Sequence, residues 1–124
     1  MKRMVVALTA MLFAVTSCSV SKEEKMDLLD AVKNEASDVQ LESKAFGSQE
    51  EAVQTFLKNR EKGFAILRAE MKKVLGDEAD NLDHFYLEGL LKDIRAKGDN
   101  FSFGQAKRMT EKRLDKLIAR IKQL

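Results

Sequence analysis

The sequence predicts an all-α fold, a small antiparallel bundle of three to four helices, on three observations. Charged residues make up 34% of a chain that has no proline and only six glycines, a balance that suits a folded helical protein. Apolar residues recur at helical spacing, and no strand pattern of comparable strength accompanies them. Capping serines stand just before those recurrences, and glycines follow two of them. At 124 residues the chain has room for one hydrophobic core and not for two. It shows no internal repeat and no sustained heptad run.

The elements follow in order. Ser21-Lys22-Glu23-Glu24 has the spacing of a capping box, in which serine and glutamate satisfy each other's backbone amides, and it opens a first helix from Lys22 to Leu41. Leu29, Val32, Ala36 and Val39 form its inner stripe. That stripe is thin, so two forms stay open: a helix packed in the bundle, or a stalk. Ser48-Gln49-Glu50-Glu51 starts a second helix that runs to Leu75, with Gly76 as its stop, and Val53, Phe56, Leu57, Phe64, Leu67, Met71, Val74 and Leu75 fall on one arc. Arg60 interrupts this arc and Gly63 lies near its edge, where a bend is expected. The third helix, Glu78 to Lys97 before Gly98, spreads Leu82, Phe85, Tyr86, Leu87, Leu90, Leu91 and Ile94 around most of its circumference, the pattern of a central helix. The fourth opens at Phe101-Ser102 with a capping box from Ser102 to Gln105 and runs to the C-terminus, with Phe103, Ala106, Leu114, Leu117, Ile121 and Leu124 inside.

The first 17 residues read differently. Met1-Lys2-Arg3 is followed by an uncharged run from Met4 to Val15 and then by Thr16-Ser17-Cys18, the layout of a secretion signal with a basic start, an apolar stretch and small residues before a cleavage point. The run is short for a membrane helix, which needs roughly 20 apolar residues, so a retained transmembrane anchor is the weaker of the two readings. Val15-Thr16-Ser17-Cys18 resembles the lipobox of bacterial lipoprotein precursors: an aliphatic residue, two small ones and a cysteine. The resemblance covers the first 18 residues and implies cleavage between Ser17 and Cys18, a diacylglyceryl group on the Cys18 thiol, and acylation of the new amino group. The chain then divides into a signal peptide (1–17), a lipidated N-terminus and short tether (18–21), and a helical domain (22–124). The alternative is an ordinary secreted protein with an incidental cysteine. Cys18 is the only cysteine, so its lipidation would leave neither a disulfide nor a catalytic thiol. By analogy with enteric lipoproteins, Ser19 after the cysteine favours the outer membrane where there are two membranes.

Charge excludes some classes and suggests others. The precursor has 22 basic and 20 acidic residues; Lys2 and Arg3 would leave with the signal, so the mature side chains balance. The last helix is nonetheless basic, with Lys107, Arg108, Lys112, Arg113, Lys116, Arg120 and Lys122 against Glu111 and Asp115. Lys107, Arg108, Lys112, Arg113, Lys116 and Arg120 are the candidate ligands for an anionic envelope polymer or lipid headgroup, against the plainer reading of a solvated face that complements the acidic remainder of the bundle. Nucleic acid is not the expected partner, because no aromatic side chains interleave with the basic run.

Few residues offer catalytic chemistry. His84 is the only histidine, and Asp80, His84 and Glu88 at four-residue steps diverge along a helix instead of converging on a metal. Phe101 and Phe103 stand where a calcium loop needs oxygen ligands, and no phosphate loop, nucleophile elbow or zinc-protease motif occurs. No catalytic residue, metal or cofactor is expected. Arg60 and Asp93 each interrupt an apolar arc, and the sequence suggests that they pair. Ile66 with Leu91 is a candidate exposed apolar patch. The expected function is that of a non-enzymatic, lipid-anchored envelope module that binds another protein of the envelope or of a host or neighbouring cell; the alternative is a binder of anionic polymer or lipid through the basic helix.

Overall fold

Serines start three of the helices. Ser21, Ser48 and Ser102 hold extended backbone, and each Oγ accepts the N–H three residues on, from Glu24, Glu51 and Gln105, at 3.1 Å. At Ser102 the box is closed, because the Gln105 Oε1 accepts the Ser102 N–H at 2.8 Å. Each such cap contributes about 1 kcal/mol. In the computed structural model, which describes residues 21–45 and 47–124, the caps open α1 (Lys22–Leu41), α2 (Gln49–Leu75) and the last helix. Between them α3 (Glu78–Leu82) passes through a π-helical turn, Asp83–Leu87, into α4 (Glu88–Ala96), so that the three make one rod. A 3₁₀ turn at Gly98–Asn100 leads to α5 (Phe103–Gln123). The expected signal sequence, the Val15–Cys18 motif and the expected lipidation residue Cys18 lie outside the described residues.

The fold is an all-α bundle of four rods, with no strand among the described residues. Side-chain bonds between neighbours fix the directions. Glu61 meets Arg95 and Arg68 meets Asp83, so α2 and the α3–α4 rod run antiparallel. Lys25 near the start of α1 donates to the carbonyl of Lys122 near the end of α5 at 2.9 Å. At the other end Lys107 of α5 donates to the carbonyls of Gln40 and Glu42, at 3.0 and 2.9 Å. The terminal carbonyls of each helix therefore receive an ammonium from the other, where positive charge is favoured. α2 and α5 each touch every other rod. No helix among the described residues is long and apolar enough to cross a membrane.

α1 belongs to the bundle and is not a stalk: Leu28, Val32 and Val39 are fully buried and the helix packs on α2 and α5. Its inner row is Leu28, Val32, Glu35, Val39. One core position is thus held by an acid, which is why the apolar stripe looks thin in the sequence. Arg60 of α2 holds the facing position. Both are buried, at 7% and 4% exposure. The Arg60 guanidinium pairs with Glu35, reaches Glu42 at 2.9 Å and lies 5.3 Å from the centre of the Phe56 ring. Asn59 donates to the second Glu42 oxygen at 3.0 Å. The expected Arg60–Asp93 pair does not form, because Asp93 faces outward and accepts from Arg113 at 2.8 Å. Gly63 lies one turn beyond Arg60, and a Cβ built there would fall on the Glu35 carboxylate. The glycine costs helix propensity but makes room for the ion pair, and α2 runs through it as one helix.

The third rod also departs from its expected form. A π turn gains one residue, with the Glu88 N–H donating to the Asp83 carbonyl, and this brings Leu82, Leu87, Leu90, Leu91 and Ile94 into the core while turning Phe85 out to 57% exposure. Gly89 allows it, since a Cβ there would sit 2.5 Å from the His84 carbonyl oxygen. The rod therefore lies at the side of the bundle and not at its centre. Leu91 is buried at 2% and Ile66 exposed at 67%, so the two form no common patch; Leu124, expected inside, is 37% exposed.

Gly63→Ala should destabilise the protein by about 1–3 kcal/mol although alanine gains about 1 kcal/mol of intrinsic helix propensity. In a Glu35→Ala background the same change should be neutral or stabilising. A double-mutant cycle by urea denaturation reads the coupling; additive effects would show that the glycine and the carboxylate act independently.

Candidate functional site

The basic residues of α5 divide into two groups by what they touch. Lys107 is occupied by the α1 carbonyls and lies 5.6 Å from the centre of the Phe103 ring. Arg113 donates to the Phe85 carbonyl at 2.7 Å and to Asp93, with its guanidinium 5.3 Å from the Phe85 ring centre. Both build the fold. Arg120 is half-buried. Arg108, Lys112 and Lys116 are exposed and make no ion pair with the described residues. Their four-residue spacing places them in one row, at steps of roughly 6 Å along the helix. The structure thus leaves three of the six sequence-predicted cations fully free for a ligand.

Arg108 and Lys112 also border a groove. It has a volume of about 460 Å³ and is lined by Lys97, Phe101, Gln105, Arg108, Met109, Glu111, Lys112 and Asp115. The chain brings these residues together where α4 ends and α5 begins: the 3₁₀ turn places Phe101 beside the first turns of α5. A hydrogen bond stiffens the corner, as the Phe103 N–H donates to the Gln49 Oε1 of α2 at 3.0 Å, and the Phe103 ring stands edge-on to Phe56 at 5.8 Å. Phe101 and Met109, each half-buried against the core, supply the apolar floor. Lys97, Arg108 and Lys112 supply positive charge, and Glu111 and Asp115 lie on the rim towards α1. Such a surface can seat an apolar side chain and fix its neighbours by charge. Lys97, Phe101 and Met109 escape the sequence reading because they come from separate elements; the only sequence signal is that Met109 lies off the inner stripe of its helix.

The other candidates offer less. His84 is exposed on the π turn, Asp80 is taken by Lys72 at 3.3 Å and Glu88 by Arg68 at 3.7 Å. No group of three or more metal-ligating side chains occurs among the described residues. Glu35 borders a cleft of about 190 Å³ with Ala31, Asn34, Asp38, Gly63, Ile66 and Leu67. No hydroxyl, thiol or imidazole side chain lines that cleft.

Comparison with family models, with curated proteins and with solved structures gave no match to this chain.

Burial pushes the Glu35 carboxyl up from 4.5 to about 7, with Arg60 opposing and Asp38 and Glu42 adding to the rise. The unfolded chain loses this proton near its ordinary value, so the group favours the folded state fully below about 4.5, and that contribution is lost as the pH rises through about 7. Urea midpoints taken from pH 4.5 to 8 should therefore fall more steeply in the native protein than in Glu35→Gln; parallel profiles would contradict the assignment.

Proposed function

We propose that this chain is a non-enzymatic lipoprotein of a bacterial cell envelope, held to the membrane by lipid on Cys18, that works as a protein-interaction module. The sequence basis for the anchor is Val15-Thr16-Ser17-Cys18 after an apolar run and a basic start. Ser19, Val20 and Ser21 separate the cysteine from α1, a reach of about 10 Å at most per three extended residues. The start of α1 would then stand near the lipid surface, with the outer membrane favoured by Ser19 in an organism that has two.

The observation that carries the interaction reading is the position of the Phe101–Met109 groove. It runs along the part of α5 that begins beside the end of α1, and the 20 residues of α1 place that end about 30 Å from the start of the helix. A protein tethered through the residues before α1 would present the groove away from its own membrane. The row of Arg108, Lys112 and Lys116 supports the alternative, binding of an anionic envelope polymer or headgroup. Glu111 and Asp115 on the same surface weigh against a uniform polyanion.

Cells making the full chain should incorporate labelled palmitate into it, and Cys18→Ala should abolish the label and release the protein from the membrane fraction. A photo-crosslinking side chain at Gln105 should give a discrete protein adduct, whereas one at Ile66 on the outer side of α2 should not. An unlabelled thiol, or no protein adduct from the groove, would overturn the reading.

A further inference from the structure

We propose that the groove receives an acidic amphipathic helix of a partner protein. The inference rests on the protein-interaction reading above and names the partner's chemistry. Gln105, Arg108, Met109 and Lys112 recur at i, i+3, i+4 and i+7 on the outer side of α5. Residues so spaced on a helix form a ridge-and-groove surface that a second helix matches. α5 carries one such stripe inward, through Phe103, Ala106, Thr110, Leu114, Leu117 and Ile121; the second points outward, and among the described residues no other helix is laid across it.

Chemistry selects the occupant. Met109 and Phe101 call for an apolar anchor. Lys97, Arg108 and Lys112 stand around it, and neither Arg108 nor Lys112 is in an ion pair with a described carboxylate, so the anchor's neighbours one turn away carry carboxylates. Glu111 and Asp115 border the groove on the side of α1, and there the partner is neutral or basic. A lipid headgroup or polyanionic chain meets neither the apolar floor nor this change of sign, whereas a helix with an acidic flank and an apolar stripe meets both.

The test uses the full lipidated chain in the envelope of the cells that make it, with the photo-crosslinking side chain at Gln105 and the attached segment sequenced. The expected segment has apolar residues at i, i+3 or i+4 and i+7, with carboxylates beside them. Arg108→Glu with Lys112→Glu, both at exposed positions, should lower the adduct yield about tenfold with an unchanged melting curve, and acid-to-lysine changes in the partner segment should restore it. A basic or non-amphipathic segment, or a yield indifferent to charge reversal, would overturn the proposal while leaving the interaction function standing. An adduct with lipid or polysaccharide, or none at all, would overturn both.

Discussion

A single buried guanidinium decides how the first helix joins the rest. Arg60 is the only basic side chain among the buried described residues, and its partners, Glu35 and Glu42, both belong to α1 or its C-terminal cap. Taking such charges out of water costs several kcal/mol per ion, so the cluster adds little net stability over an apolar core of the same shape. What it contributes is register. An apolar α1 could slide on α2 by a turn and still bury leucines and valines; with Glu35 and Glu42 seven residues apart and both aimed at Arg60, a slide leaves a buried charge unpaired. Gly63 completes the arrangement by leaving the space the Glu35 carboxylate fills.

Registered in this way, α1 can exchange ends with α5. Lys25 and Lys107 each meet the terminal carbonyls of the other helix, and neither reaches its target if α1 shifts. The two helices then form a strut of about 30 Å with the start of α1 at one end and the Phe101–Met109 groove at the other. If the chain is tethered at Cys18, as proposed, the buried ion cluster sets how far from the membrane, and on which side of the molecule, the groove is displayed.

The sequence discloses what is local. The capping serines, the end of α2 at Gly76 and the outline of four helical rods depend on residues within a few positions of each other, and all are legible. What needs a partner from elsewhere in the chain is not. An acid such as Glu35 reads as a surface residue until Arg60 is seen opposite it, and Arg60 looks like a partner for Asp93 because both interrupt apolar arcs, whereas Asp93 is turned outward to Arg113. The π turn shifts every later side chain of its rod by one position, so the aromatic that looks central, Phe85, lies outside. The basic face of α5 is visible as a run of charge, but its division into the structural Lys107 and Arg113 and the free Arg108, Lys112 and Lys116 depends on the end of α1 and on the π turn and α4 packed beside it. The groove itself, drawn from three consecutive elements, has almost no signature in the sequence.

Native-state amide hydrogen exchange shows whether the buried cluster makes α1 an integral member of the bundle. The most protected amides between Leu28 and Val39 should open with the same free energy as the most protected amides of α2 and α5, as members of one cooperative unit. Exchange of the α1 amides at more than about 2 kcal/mol below the others would contradict it and return α1 to the status of a stalk.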